Sequence, residues 1–349
     1  MKLVEFGKKQ FQTLYCLSPF VSISVDINGE VSLCGCHDWQ PSTIGNIFDH
    51  NLATLLSSDA AQKIRASIGN GSYIYCNEQT CGIINNRQLN QRSSLPPDVV
   101  PLIAHSDQWI PPREIVLAGD LTCNLSCPSC RQNVIRLEDQ QRQQQKDLGR
   151  LLAQNLFDQP HDQPINLTVS TSGEIFASAF LLDFVSSIDI TQFPGLSLRL
   201  QTNGLLAPRN WHRLGSCVDR VSQITVTFDA ARADTYHRLR RGGAWSDLVG
   251  SLEFLQQKKQ QTGMSLHTRM VVQQANWQEI EEFYEFSCKY QADRVEYVRI
   301  TDWGTYGADF AMQDVFDPRH PEHAAAQAML NAVAKQSTVW LGGDLHIAK

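Results

Sequence analysis

Residues Glu114-Ile115-Val116-Leu117-Ala118-Gly119-Asp120-Leu121-Thr122-Cys123-Asn124-Leu125-Ser126-Cys127-Pro128-Ser129-Cys130 run from a short apolar segment into a loop holding three cysteines. Residues 114–117 have the length and composition of a strand, and a CxxxCxxC spacing follows directly. Three thiolates on one loop can hold three irons of a cubane. The fourth iron then has no protein ligand, which is what an exchangeable chelating small molecule needs; a closed four-cysteine cluster would only move electrons. The competing readings are a zinc site with its fourth ligand elsewhere, or three unrelated cysteines. Zinc ligands usually come as spaced pairs, which disfavours the first.

Downstream of this loop the pattern alternates strand and helix. Candidate strands are residues 114–117, 165–170, 197–201, 223–228, 266–272 and 294–299. Between them lie amphipathic helices: Trp245, Leu248, Val249, Leu252 and Leu255 make one apolar face. Asn276-Trp277-Gln278-Glu279 resembles a capping box opening a helix that carries Ile280, Phe283 and Phe286. The Gln-rich run 140–145 reads as the solvated face of the first helix. Alternating β-α units imply a parallel sheet with right-handed crossovers. The expected fold is α/β, a partial (β/α)6 TIM-like barrel of parallel strands, with its sites at the carboxyl ends of the strands. There Thr301-Asp302-Trp303-Gly304-Thr305-Tyr306 follows the last strand, so Asp302, Trp303 and Tyr306 are substrate candidates. The bland alternative is capping by Asp302 and core packing by Trp303.

Upstream, Pro96, Pro97, Pro101, Pro111 and Pro112 forbid continuous helix or central strand, and residues 88–112 read as a linker. Before it lies a small cysteine-bearing module within residues 1–87; the core takes residues 113–349. Val21-Ser22-Ile23-Ser24-Val25 alternates as a half-buried strand does, and Asn28-Gly29 is a preferred hairpin turn. Val31-Ser32-Leu33 returns and delivers Cys34. Ser58 can cap a short helix in which Ile64 and Ile68 share a face. His37, beside Cys36, is a weak ligand candidate.

The chain has 349 residues, a formal net charge of -6, 42% hydrophobic and 19% charged residues. That is an ordinary globular composition. It gives no electrostatic footprint for nucleic acid or an anionic membrane. The start lacks a signal-peptide pattern and no segment approaches a membrane span, so the expected location is the cytoplasm. In that reducing pool ten cysteines argue for metal or iron-sulfur sites over disulfides. Cys217 and Cys288, on predicted helices, read as buried apolar residues.

The triplet and the segments beyond it resemble the radical S-adenosylmethionine (radical SAM) superfamily, over residues 114–305. In that family the unique iron binds the amino and carboxylate groups of S-adenosylmethionine, and the 5′-deoxyadenosyl radical made by reductive cleavage abstracts a substrate hydrogen. The resemblance makes Cys123, Cys127 and Cys130 the ligands of a 4Fe-4S cluster. Ser172-Gly173-Glu174 is similar to the family's GGE segment, whose glutamate meets the methionyl ammonium; Ser172 stands in place of the first glycine. Leu200-Gln201-Thr202-Asn203-Gly204 resembles the third strand and turn. Thr225-Val226-Thr227-Phe228-Asp229-Ala230 resembles the fourth-strand end that reaches the ribose, with Thr227 where serine is common. Asn203, Thr227 and Asp229 are therefore expected cofactor contacts. Residues 236–243 (YHRLRRGG) are similar to the segment that comes next in peptide- and sugar-modifying members. Ser129 replaces an aromatic that many members have before the last cysteine.

Cys16, Gly29 and Cys34, with Ile44-Gly45-Asn46-Ile47 and Cys76-Asn77-Glu78-Gln79-Thr80-Cys81, resemble the SPASM and Twitch modules that hold auxiliary iron-sulfur clusters. That module normally follows the barrel; here it precedes it, and the cysteine series for a second auxiliary cluster is absent. One auxiliary 4Fe-4S cluster is expected, on Cys16, Cys34, Cys76 and Cys81, with Cys36 spare. A four-cysteine zinc site is the alternative, because spacing alone does not separate the metals.

The leading expectation is an enzyme that modifies a peptide or protein side chain. The runner-up is a radical oxidase or epimerase of a sugar or aminocyclitol, and a third reading is a non-catalytic iron-sulfur or zinc scaffold. The resemblance also implies an electron donor such as flavodoxin or ferredoxin. No winged-helix leader-binding domain is evident in the sequence, which either weighs against the peptide reading or implies a separate leader-binding protein.

Overall fold

In a computed structural model the described residues are 1–342 and Leu345, apart from residues 38, 86, 106, 108, 170 and 171. They build one ten-stranded sheet around which the helices pack. Its strands are β1 (Ser22–Asp26), β2 (Glu30–Ser32), β3 (Gly45–Asn46), β4 (Glu114–Ala118), β5 (Ile165–Val169), β6 (Leu196–Thr202), β7 (Val221–Thr227), β8 (Ser265–Val272), β9 (Arg294–Arg299) and β10 (Val339–Gly342). The order is β10-β9-β8-β7-β6-β5-β4-β1-β2-β3. From β10 to β1 every neighbouring pair is parallel; β2 and β3 add an antiparallel edge. This is the expected open α/β sheet. The six expected core strands are present to within two residues at each end; Ser170, the last residue of the second, lies outside the described residues. A seventh core strand, β10, was not expected.

The parallel strands do not read as unbroken apolar runs. In β6, Leu196, Leu198 and Leu200 are buried under the helices while Ser197, Arg199 and Gln201 face the other way. That second face is lined with polar groups: Glu114 accepts from Asn166 Nδ2 at 2.5 Å and Arg199 Nη1 at 3.0 Å, and Glu296 accepts from Arg269 Nε at 2.8 Å. A sheet covered on both faces by helices would be apolar on both. The alternation instead leaves a polar inner surface, as an incomplete barrel requires.

The amino-terminal hairpin is joined to this sheet. Ser22 to Asp26 pair in parallel register with Glu114 to Ala118. Gly29 makes the turn at φ +78°, with Asp26 Oδ1 accepting from the Asn28 and Glu30 amides. A Cβ on Gly29 would lie 2.6 Å from the Phe48 ring. Ser58 caps α1 (Asp59–Gly69) by accepting from Ala61 N, and Ile64 and Ile68 are fully buried, as expected.

Three sequence expectations fail locally. Asn276 does not cap the helix after it: its side chain accepts from Gln273 N and donates to the Asp229 and Val271 carbonyls. Glu279 accepts from the Ala231 and Arg232 amides. Both side chains pin the loop after β7, a tertiary demand that outweighs local capping. Cys288, expected to be buried, is exposed on α2 (Ile280–Lys289), whereas Cys217 is buried. Within run 140–145, Gln145 is buried and the rest is exposed. Among the described residues no helix is long and apolar enough to cross a membrane.

Candidate functional site

The loop after β4 carries Cys123, Cys127 and Cys130, and each sulfur faces an N–H donor. Leu125 N reaches Cys123 Sγ at 3.4 Å and Asn203 Nδ2 reaches it at 3.8 Å. Arg240 Nη1 lies 3.7 Å from Cys127 Sγ, and Arg131 Nη2 lies 3.5 Å from Cys130 Sγ. The fully buried Leu125 anchors the loop from beneath. Its backbone is tied to the YHRLRRGG segment: Ser126 N donates to Arg241 O, and Arg241 Nε returns to Ser126 O. Burial pushes the Cys123 thiol up to about 11, against the pull of the Leu125 amide. Burial raises Cys127 as well, opposed by the Arg240 charge.

Glu174 sits at the end of the loop after β5, fully buried. One carboxylate oxygen accepts from Thr202 Oγ1 at 2.6 Å and Phe176 N at 3.1 Å; the other accepts from Asn203 N at 2.6 Å and keeps an acceptor lone pair. Burial raises its carboxyl, opposed by these donors. A Cβ on Gly173 would stand 2.3 Å from Thr122 O, so glycine is needed there for the two loops to pass. Ser172 is exposed, and its carbonyl accepts from Arg131, which also donates to Leu121 O at 2.5 Å. A serine is therefore tolerated at the first position. Asn203 bridges to Asn124 Oδ1 at 2.9 Å.

At the end of β7, Thr227 is half-buried. Asp229 is held at φ +58° and is 1% exposed. Its carboxylate accepts from Val271 N at 2.8 Å and pairs with Arg240 Nη2 at 2.8 Å. Burial raises the Asp229 carboxyl against the Arg240 charge. Arg240, next to both Asp229 and Cys127, joins two loops that the sequence treated separately. Neither Arg131 nor Arg240 was singled out from the sequence. The signal available was arginine directly after the last cysteine and inside the YHRLRRGG run.

The substrate candidates divide. Tyr306 is half-buried, donates to Gln273 Oε1 at 3.0 Å, and feels the charges of Arg241, Asp229 and Cys127. Asp302 accepts from Gly304 N in a turn and caps no helix. Trp303 is 62% exposed, so core packing is excluded for it. Gln132 Nε2 reaches Thr305 O at 3.4 Å, linking this loop to the cysteine loop.

The second cysteine group lines one cavity: Cys16, Cys34, Cys76 and Cys81 surround it with Trp39, Gln40, Tyr73 and Ile84. Cys34, Cys76 and Cys81 are buried, Cys16 and Cys36 partly exposed, and His37 exposed. Burial raises all four lining thiols, and Cys34 is pushed further by Cys16, Cys36 and Cys76. Four such thiols become thiolates together only with a cationic centre among them. Gln40 is 1% exposed and neither amide atom has a partner. The donor set and the orphaned amide both fit a sulfur-rich metal group. Among the described residues no three of His, Cys, Asp and Glu converge as a single bare ion demands.

Comparison with known families matches residues 121–287 to the radical SAM superfamily and residues 16–82 to the SPASM iron-sulfur cluster-binding domain. The chain carries a radical SAM domain, with a SPASM domain ahead of it. Such a core implies a 4Fe-4S cluster and S-adenosylmethionine, and the SPASM domain implies auxiliary iron-sulfur binding. None of the curated proteins compared matches the chain. Among solved structures, Streptococcus suis SuiB bound to precursor peptide SuiA is 14% identical, covering 66% of this chain and 49% of that one, with a TM-score of 0.45. Native anSMEcpe with bound AdoMet is 14% identical over 54% of this chain and 51% of that one, TM-score 0.38. TYW1 with a lysine-pyruvate adduct is 15% identical over 63% and 73%, TM-score 0.40. This chain thus spans about half the length of SuiB.

Proposed function

We propose that this protein reductively cleaves S-adenosylmethionine and uses the resulting radical to modify a side chain of a peptide or protein. When bound, the cluster and S-adenosylmethionine supply a 5′-deoxyadenosyl radical that abstracts a hydrogen atom. The observation that carries the reading is the triplet itself: three cysteine sulfurs on one strand-end loop, each faced by an N–H donor, with Glu174 on the neighbouring loop. Cys123, Cys127 and Cys130 are the proposed cluster ligands. Glu174 offers its remaining acceptor to the methionyl ammonium, with Gly173 letting the backbone pass and Asn203 steadying Cys123. Thr227 serves the ribose through its hydroxyl, and Asp229 acts there through its backbone and through Arg240. In the SPASM domain, spanning residues 1–87 ahead of the 88–112 linker and the 113–349 core, Cys16, Cys34, Cys76 and Cys81 hold one auxiliary 4Fe-4S cluster.

A peptide is favoured as substrate by the loops at the carboxyl ends of the strands. Val134 and Trp303 on these loops are 48% and 62% exposed, and Met312 on the short helix Phe310–Gln313 is 52% exposed. An open rim with apolar side chains suits a chain laid across it, whereas small polar ligands are usually enclosed. Trp303 and Tyr306 are the proposed contacts, and a separate protein would then present the peptide's leader. The test is anaerobic incubation of reconstituted protein with dithionite and S-adenosylmethionine, with 5′-deoxyadenosine read by mass spectrometry. Deuterated peptide or sugar substrates identify which donates hydrogen to it. Output no higher than from the triple alanine variant of the triplet would refute the proposal.

A further inference from the structure

Two buried polar side chains beside the amino-terminal cysteine cavity stand out among the described residues: an ammonium with no carboxylate partner and an amide with no hydrogen-bond partner. Lys9 is 8% exposed, and its ammonium donates to three backbone carbonyls: Gly7 at 3.1 Å, Tyr73 at 3.4 Å and Cys76 at 2.9 Å. Among the described residues no carboxylate pairs with it. Its contact with the Cys76 carbonyl sets the ammonium beside one of the four cavity-lining cysteines. Carbonyl dipoles alone are a poor substitute for water around a buried cation. The second side chain is Gln40, 1% exposed, lining the cavity with the four cysteines, with both amide atoms unpartnered. A buried amide without partners is costly, and native structures rarely keep one unless something unseen satisfies it.

We propose that both side chains serve the auxiliary iron-sulfur cluster, Lys9 as the cation that balances its charge and Gln40 as an N–H donor to its sulfur, and that together they make the cluster easier to reduce. This rests on the reading of the SPASM domain as a cluster site. A cubane held by four thiolates is anionic in both oxidation states, and one-electron reduction adds a further negative charge. A fixed ammonium stabilises the reduced state more than the oxidised one, and N–H donors to sulfur act in the same direction. Lys9 also holds the Cys76 carbonyl, so the segment before Cys16 belongs to the site although it carries no cysteine.

The experiment uses the full chain with Cys123, Cys127 and Cys130 replaced by alanine, so that the auxiliary cluster alone remains. Iron and zinc are counted first, and the cluster is then titrated with dithionite under electron paramagnetic resonance. Lys9→Met should move the midpoint to lower potential at unchanged iron content, and Lys9→Arg should restore most of the shift. Gln40→Leu should move it in the same direction by less. If Lys9→Met loses the cluster, Lys9→Gln, which can still donate to the carbonyls without charge, carries the same comparison. Parent midpoints in the neutral Lys9 variants would overturn the role of Lys9, and a parent midpoint in Gln40→Leu that of Gln40. Zinc without iron in the parent would instead overturn the cluster reading beneath both.

Discussion

Asp229→Asn tests whether the end of β7 works through the buried Asp229–Arg240 pair. Asparagine suits the φ of +58° as well as aspartate does, so the backbone is not the variable. Its amide oxygen can still accept from Val271 N, which directs the NH2 group at Arg240 Nη2, where a 2.8 Å ion pair stood. With side chains only 2% and 11% exposed, water cannot repair that opposition. Removing one partner of a buried pair costs roughly 3–5 kcal/mol, most of it from the stranded charge. The burial that raises the Asp229 carboxyl offsets part of this, so about 2–4 kcal/mol is expected. Urea unfolding followed by circular dichroism would read it as a lower midpoint at unchanged slope. The decisive comparison is the double variant with Arg240→Met. If the stranded guanidinium is the cause, the double variant should be more stable than Asp229→Asn alone, a coupling of at least about 1 kcal/mol. Strictly additive effects, or a single variant within about 0.5 kcal/mol of the parent, would refute the reasoning.

Replacing Cys123, Cys127 and Cys130 with alanine should abolish S-adenosylmethionine cleavage and leave roughly half the iron, read by elemental analysis. Glu174→Gln should weaken S-adenosylmethionine binding by about ten- to a hundred-fold at unchanged cluster content, the worth of one charge-assisted hydrogen bond; equilibrium dialysis checks it. In the background lacking the triplet, Cys34→Ala should lose the auxiliary resonance signal and Cys36→Ala should keep it; the reverse outcome would exchange their roles. Glu296 is buried, which works to raise its carboxyl, but His267 and Arg269 outweigh burial and hold it below the usual range. The resulting stability is present above the unfolded value of about 4.3 and is lost as pH falls below it, so Glu296→Gln should flatten the acid side of the stability curve.

The core strands were legible because one face of each packs under helices: Leu196, Leu198 and Leu200 repeat at the period of a strand, and each turn had room for a charged or polar residue between them. The cysteine loop was legible because its chemistry is local to eight residues. What escaped depends on contacts distant in sequence. Nothing in Ser22–Asp26 says that it pairs in parallel with a strand some ninety residues away, since backbone pairing carries no side-chain signature. Asn276 and Glu279 had the spacing of a capping box and were drawn instead to the loop of Asp229. Val339–Gly342 is four residues long, too short to show a period. Arg131 and Arg240 have no local signature of their role, which comes only when the fold brings Cys130, Cys127 and Asp229 against them.

The sheet register bears on what the two cysteine groups can do together. Val25 pairs with Val31 and Ser24 with Ser32, so the antiparallel return strand carries Cys34 towards the level of Ser22. Ser22 pairs with Glu114, at the amino-terminal end of the parallel strands, while the triplet follows Ala118 at the opposite end. Four residues of strand rise separate those levels, about 13 Å. Phe20, Val21 and Tyr73 pack with Cys76 and Cys81 at the amino-terminal end, and Tyr306, Asp229 and Arg240 gather around Cys127 at the other. A cluster in the first group therefore lies about one strand length from a substrate at the second. That separation fits full cysteine ligation, since no open iron is needed to grip a substrate at that distance. It also explains how a SPASM domain can precede its core in the chain: β1 joins the sheet beside β4, so the hairpin is anchored to the strand that delivers the triplet whichever segment comes first.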